Sequence, residues 1–293
     1  MHIVRYSAGA GGGPQVGVRD DTAIRPLDGV PTIAALLALS ADGIRERVAR
    51  AATAPAASGP VSLLPPADGR TEIWAAGVTY QRSKTARLEE SGGASFYDRV
   101  YDADRPELFF KSVPWRVVGD GDPIAIRRDS ALNVPEAELA VVVNSAAEIV
   151  GYTICDDVSS RTIEAENPLY LPQAKIYAGS CAIAPFIRPA WEVAADALSI
   201  RLEITRGGDL AYSGHTDTGQ LKRTISDLVH WLFAEQDFPD GAIISTGTGI
   251  VPELDFTLLD GDTVAITIDG IGTLTNHVVT GNTSELRELH TIG

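Results

Sequence analysis

Two glutamates two residues apart open the segment Pro135-Glu136-Ala137-Glu138-Leu139-Ala140-Val141-Val142-Val143. The valine-rich run reads as a strand, where alternate side chains share a face. Glu136 and Glu138 then point the same way with Cα atoms about 7 Å apart, while Ala137, Leu139, Val141 and Val143 take the opposite face. Two carboxylates this close repel unless something positive lies between them, and at this spacing both reach one hard cation. A third carboxylate follows. Gly151-Tyr152-Thr153-Ile154-Cys155-Asp156-Asp157 reads as a second strand running into the polar turn Val158-Ser159-Ser160-Arg161, with Asp157 19 residues after Glu138. A hairpin between Glu138 and Tyr152 brings Asp157 beside the glutamate pair. Three carboxylates with positions left for water and substrate form an Mg²⁺ or Mn²⁺ pattern, and no His or Cys cluster offers a zinc site.

The elements that position these carboxylates belong to a chain of 293 residues, 44% hydrophobic, with 24 Lys+Arg against 39 Asp+Glu and a net charge of −15. Nucleic-acid binding needs clustered Lys and Arg to neutralise phosphates, so no nucleic-acid partner is expected. The longest apolar stretches, residues 33–39 and 139–143, fall far short of a bilayer span. Met1-His2-Ile3-Val4-Arg5-Tyr6 leads into glycines without an apolar leader segment. These features predict a soluble, cytoplasmic protein with no membrane partner. Cys155 and Cys181 are too few for a secreted disulfide framework and read as free thiols.

Residues 1–68 have a texture of their own. Short β-like pieces flank Gly11-Gly12-Gly13-Pro14, a turn signal, and Pro31-Thr32 opens a helical pattern reaching Val48. Pro65-Pro66-Ala67-Asp68-Gly69 is a strong breaker. The expected organisation is a small N-terminal α+β domain, residues 1–68, followed by a catalytic domain, residues 69–293. The latter is β-rich, with strands predicted at residues 73–78, 117–118, 124–126, 139–143, 149–154, 198–204, 256–259 and 264–268. A helix is predicted over 224–235, opened by Thr224 and striped by Ile225, Leu228, Val229 and Leu232. No βαβ rhythm runs through the chain. The fold class is α+β, mainly β: a mixed β sandwich or roll.

Several motifs now combine. Glu136-Ala137-Glu138, Gly151-Tyr152-Thr153 to Asp157-Val158-Ser159-Ser160-Arg161, Ser245-Thr246-Gly247-Thr248-Gly249, Gly261-Asp262 and Gly270-Ile271-Gly272-Thr273-Leu274-Thr275-Asn276 resemble the fumarylacetoacetate hydrolase superfamily in order and spacing. The resemblance covers roughly residues 72 to 280. It implies a β-rich catalytic fold behind a small N-terminal domain, and homodimers or larger homo-oligomers such as tetramers. It also implies a divalent cation, Mg²⁺ or alternatively Mn²⁺ or Ca²⁺, held by Glu136, Glu138 and Asp157. The cation would act as a Lewis acid on a small 2-oxo acid substrate.

Members differ in their acid–base groups. Hydrolases and decarboxylases of the family commonly carry a His–Glu pair after the first core strand, to activate water. Counting from Tyr80, Ser83 stands at the His position and Ala86 at the Glu position, so the pair is absent there. The segments Arg105-Pro106-Glu107-Leu108-Phe109-Phe110-Lys111, Glu164 to Tyr177 and Thr246 to Pro252 resemble the branch that dehydrates 2-keto-3-deoxy-D-arabinonate to 2,5-dioxopentanoate. That branch makes Lys175 and Glu107 the acid–base candidates. Thr248 and Thr246 become candidates for binding the substrate carboxylate, and Arg82 and Ser83 for recognising its hydroxyls. Arg82, Ser83 and Lys84 are expected in a lid that continues through Ser91-Gly92-Gly93-Ala94-Ser95, with Tyr97 and Tyr101 as lid anchors or plain packing. The alternatives are an acylpyruvate hydrolase or oxaloacetate decarboxylase of the same superfamily, and a non-catalytic member of the fold.

Overall fold

A computed structural model of the chain describes residues 1–9, 13–20, 23–83, 85 and 95–292. Lys84, Ala86 and the expected lid residues 91–94 lie outside the described residues. The chain begins with a four-stranded antiparallel sheet of β1 (His2–Ala8), β2 (Pro14–Arg19), β3 (Ile24–Pro26) and β4 (Val61–Leu64), in the order β3-β2-β1-β4. Two helices, Ile33–Leu37 and Ala41–Ala51, interrupt it. The single helical pattern predicted there is broken, because Ser40 adopts an extended conformation and caps the second helix through the Gly43 N–H.

The central sheet is built from β5 (Glu72–Gly77), β6 (Glu107–Ser112), β9 (Ala137–Val143), β10 (Ile149–Asp157), β12 (Cys181–Ile183), β13 (Arg188–Pro189) and β16 (Ala242–Ser245). A five-stranded sheet holds β7 (Pro123–Ile126), β14 (Ser199–Arg206), β15 (Asp209–Asp217), β17 (Thr263–Ile268) and β18 (Gly272–Thr280). A two-stranded piece pairs β8 (Asn133–Val134) with β11 (Ser159–Ser160). β9 is buried along its whole length because the central sheet is covered on both faces. Leu139, Val141 and Val143 cluster with Ile200, Leu202, Ile266 and Leu274 of the five-stranded sheet. Ala140 and Val142 cluster with Ile33, Leu37, Ile44 and Val48 of the two early helices. The predicted alternation of β9 is the one observed.

The predicted helix near 224–235 is found as Ile225–Phe233, capped by Thr224 through the Asp227 N–H. Two predicted strands are absent. Val117 and Val118 follow a 3₁₀ turn, Pro114–Arg116, and make one isolated bridge to Ala182. Residues 256–259 form no strand; the Leu258 N–H is donated to the Asn133 carbonyl across a loop. Both cysteines are free and buried. No described helix is long and apolar enough to cross a membrane.

Candidate active site

The site forms where β9 begins and β10 ends. In their antiparallel register Cys155 pairs with Glu138 and Asp156 with Ala137, and the Asp157 N–H is donated to the Glu136 carbonyl at 3.1 Å. Period-2 alternation therefore sets Asp157 on the face of Cys155 and Glu138, and turns Asp156 to the other. Glu136, Glu138 and Asp157 are buried, with one oxygen from each lying within 4.8 Å of the others. Asp156 instead accepts the Glu136 backbone N–H at 3.1 Å. Burial, then the neighbouring Asp157, raises the Asp156 carboxyl to about 8.

Each carboxylate has its own support. Glu138 Oε2 accepts the Ser245 hydroxyl at 2.5 Å and the Gly247 N–H at 2.8 Å. Gly247 has φ +86°, and a Cβ there would sit 2.1 Å from Thr79 Oγ1, so this close approach requires glycine. Glu136 Oε1 accepts Arg161 Nη1 at 2.9 Å, and its Oε2 accepts Lys175 Nζ at 2.6 Å. Asp157 pairs with Lys111 through Oδ1 and with Lys175 through Oδ2 at 3.3 Å. Burial, followed by Asp157 and Glu136, pushes the Glu138 carboxyl well above its ordinary range. A divalent cation would relieve that strain on the charged form. Three buried carboxylate oxygens with no soft ligand are hard donors, so the residues present fit Mg²⁺, Mn²⁺ or Ca²⁺.

Lys175 ends the short helix Leu171–Lys175. Its ammonium is buried, donates to Ser159 Oγ at 2.5 Å and lies 5.5 Å from the centre of the Phe109 ring. A small cavity beside it is lined by Glu107, Phe109, Glu164, Lys175 and Thr248, among others. Glu107 and Phe109 share a face of β6 by alternation. The Glu107 carboxylate lies directly against Gly77, where a Cβ would stand only 2.2 Å from its Oε2. The next residue, Val78, also lines the cavity with φ 51°, a left-handed conformation rare for a β-branched side chain.

Of the residues picked out from sequence, Glu107, Lys175, Thr248 and Ser83 line this cavity with Glu136 and Asp157, and Glu138 stands beside them in the triad. The Ser83 hydroxyl is engaged with its own turn, donating to the Tyr80 carbonyl at 2.7 Å. The Thr246 hydroxyl turns to the Leu139 carbonyl at 2.9 Å, and Arg82 reaches Glu253 at 3.1 Å. Neither Thr246 nor Arg82 is among the described residues that line the cavity. Tyr101 receives Lys222, which lies 4.2 Å from the centre of its ring. Sequence reasoning passed over Lys111, Arg161 and Glu164. All three are buried charges that the sequence around them does not announce: Glu164, for one, is followed by the exposed Ala165 and Glu166.

Residues 72–279 match the family model for the fumarylacetoacetate (FAA) hydrolase C-terminal domain. The chain belongs to this family, as its fold and buried acidic triad already indicate. Over 210 residues it is 50% identical to a probable 2-keto-3-deoxyxylonate dehydratase from Haloferax volcanii, covering 71% of this chain and 72% of that one. It is 48% identical over 208 residues to the 2-dehydro-3-deoxy-D-arabinonate dehydratase of Saccharolobus solfataricus, covering 69% and 70% of the two chains. A solved 2-keto-3-deoxy-D-arabinonate dehydratase complexed with magnesium and 2,5-dioxopentanoate superposes with a TM-score of 0.80 at 37% identity, over 96% of this chain and 99% of that one.

Proposed function

We propose that this chain is a divalent-metal-dependent hydro-lyase that converts a 2-keto-3-deoxy pentonate, such as 2-keto-3-deoxy-D-arabinonate, to 2,5-dioxopentanoate. The observation that carries the reading is the buried Glu136/Glu138/Asp157 triad beside a small cavity into which Lys175 and Glu107 both point. The sequence relatives act on such sugar acids by name, and the Mg²⁺-bound structural relative holds the product. Ser83, with its hydroxyl committed to Tyr80, supplies no water-activating base.

Glu136, Glu138 and Asp157 would hold the cation, which when bound supplies Lewis acidity toward the substrate's carboxylate and 2-oxo group. The chain's own groups move the protons. For this Lys175 must act as the neutral amine and Glu107 as the protonated acid: the Lys175 amine takes a proton from C3 and the Glu107 carboxyl gives one to the departing C4 hydroxyl, so the pair expels one water. A proton lost from C5 returns at C3, and the resulting C5 enol passes its hydroxyl proton to C4, which leaves the aldehyde with no net redox change. Thr248, at the cavity wall, offers its backbone N–H to the substrate carboxylate, while its hydroxyl donates to the Ile250 carbonyl at 3.2 Å and accepts the Ile250 N–H at 3.1 Å. Phe109 shields Lys175 from bulk water.

The reading extends to a homodimeric or homotetrameric enzyme of the cytoplasm acting in pentose breakdown, with residues 1–68 as a supporting domain packed on the central sheet. Purified protein incubated with Mg²⁺ and 2-keto-3-deoxy-D-arabinonate should yield a product one water lighter that an aldehyde dehydrogenase oxidises. No aldehyde from this substrate, together with pyruvate release from an acylpyruvate, would sink the proposal.

A further inference from the structure

We propose that Glu164 sets the substrate class of this site: it accepts the terminal hydroxyl of a sugar acid and turns away 2-oxo acids that end in a second carboxylate. The inference rests on the reading above, that the cavity beside the triad takes a 2-oxo acid by its carboxylate end. Glu164 lies on the helix Arg161–Glu166, whose N-cap Ser160 follows the Ser159 that receives Lys175. The helix therefore starts at the triad. Arg161, its first residue, reaches Glu136 Oε1 at 2.9 Å. Side chains three apart share a helix face with Cβ atoms about 5–6 Å from one another, so Glu164 lines the same cavity one turn farther along the helix. Arg161 and Glu164 are buried, whereas Thr162, Ala165 and Glu166 are exposed. The acid is turned into the cavity while the other face of its helix meets water.

Charge is spread unevenly along this cavity. Its described lining carries two cationic side chains, Arg161 and Lys175, and both bond Glu136, at 2.9 and 2.6 Å. Positive charge thus gathers at the triad end, where the substrate's own carboxylate and 2-oxo group belong. Glu164 sets a carboxylate on the wall beyond. A 2-keto-3-deoxy pentonate held by its first two carbons extends away from the triad and ends in a C5 hydroxyl, an O–H donor suited to a carboxylate acceptor. A methyl end offers Glu164 no donor, and a site shaped to bond a hydroxyl discriminates against the analogue lacking it. A carboxylate end, as in oxaloacetate or 2-oxoglutarate, meets like charge in a cavity too small to hold much screening water.

The test uses three five-carbon 2-oxo acids that differ only at C5: 5-hydroxy-2-oxopentanoate, 2-oxopentanoate and 2-oxoglutarate. None carries a C4 hydroxyl, so none can be dehydrated and binding is read alone. Full-length protein is loaded with Mn²⁺, loading is verified by electron paramagnetic resonance, and each acid is titrated in by calorimetry. Wild type should bind the hydroxyl acid about tenfold tighter than the methyl acid, and 2-oxoglutarate at least about tenfold more weakly than the methyl acid. Glu164→Gln, which keeps the shape and removes the charge, should bring 2-oxoglutarate within about threefold of the methyl acid. Glu164→Ala, which removes the acceptor, should bring the hydroxyl acid within about threefold of it. Ratios taken within one protein cancel any loss of folded material, so mere structural damage does not move them. Wild type binding 2-oxoglutarate as tightly as the methyl acid, or variants whose ratios stay within about twofold of wild type, would overturn the proposal. If neither variant folds, the wild-type order decides. Failure of all three acids to bind the loaded wild type would instead refute the reading of the cavity as a 2-oxo acid site.

Discussion

Replacing Gly77 with alanine should cripple turnover while sparing the fold and the cation. The backbone at Gly77 is ordinary strand, so an L-residue is not strained there. The new methyl would lie 2.2 Å from Glu107 Oε2 and 2.6 Å from its carboxyl carbon. Ordinary contact begins near 3.4 Å, so the carboxylate must retreat by about 1.2 Å. It is the far end of a flexible side chain, and rotation about its own bonds absorbs the clash cheaply. Position is what is lost. A misplacement of about 1 Å in a reacting group costs on the order of 100-fold, or about 2.7 kcal/mol of transition-state stabilisation at 1.36 kcal/mol per tenfold. The assay is steady-state dehydration coupled to an NAD-dependent aldehyde dehydrogenase, with Mn²⁺ affinity and Tm measured on the same preparation. The expected result is kcat down about 100-fold, with Mn²⁺ affinity within twofold and Tm within a few degrees of wild type. A Gly77→Ala protein with wild-type kcat would refute the assignment of Glu107 to proton transfer.

Mg²⁺ at about 100 times its Kd should stabilise the folded protein by about 2.7 kcal/mol, seen as a rise of several degrees in Tm; Glu138→Ala should abolish both that rise and metal stimulation of activity. Lys175→Met should retain Mn²⁺ binding by resonance titration while turnover falls at least about 1,000-fold; an active variant would reduce Lys175 to a scaffold role. Gly247→Ala forces a φ of +86° and a 2.1 Å contact with Thr79 onto an L-residue. It should cost about 1–3 kcal/mol in denaturant unfolding, and an unchanged midpoint would show that the turn has another route.

Much of the acidic triad was legible because strand geometry is periodic. Glu-x-Glu fixes two side chains on one face, and the hairpin into Tyr152 sets the partner strand so that Asp157, not Asp156, joins them. What lay hidden was the set of counter-ions. Lys111 sits in a Phe-Phe-Lys-Ser run that reads as plain strand, and its partner Asp157 is 46 residues further on. Only the folded register reveals that pairing. Thr246 misled for a related reason: its motif marks a turn at the site, but the hydroxyl turns back to the Leu139 carbonyl while the Gly247 N–H reaches Glu138. The strand predicted at residues 256–259 failed because short apolar runs look alike whether they end in a ladder or pack as loop. The break in the early helix depended on Ser40, whose capping preference outweighed the continuing apolar stripe.

Parallel pairing of β5 with β16 sets Glu72 against Ala242, 170 residues apart in the chain. Closing so long a loop costs entropy that local contacts do not repay, and contacts of this separation form late in folding. β16 and the turn after it carry Ser245 and Gly247, which hold Glu138, whereas β5 ends at Gly77, against which Glu107 rests. A growing chain therefore reaches its last triad support only after β16 has been synthesised and has threaded between β5 and β9. Until then Glu136, Glu138 and Asp157 are three acids on an unfinished sheet edge. On the proposed reading of the triad, a ribosome-bound chain halted before Ala242 should therefore emerge unable to retain Mn²⁺.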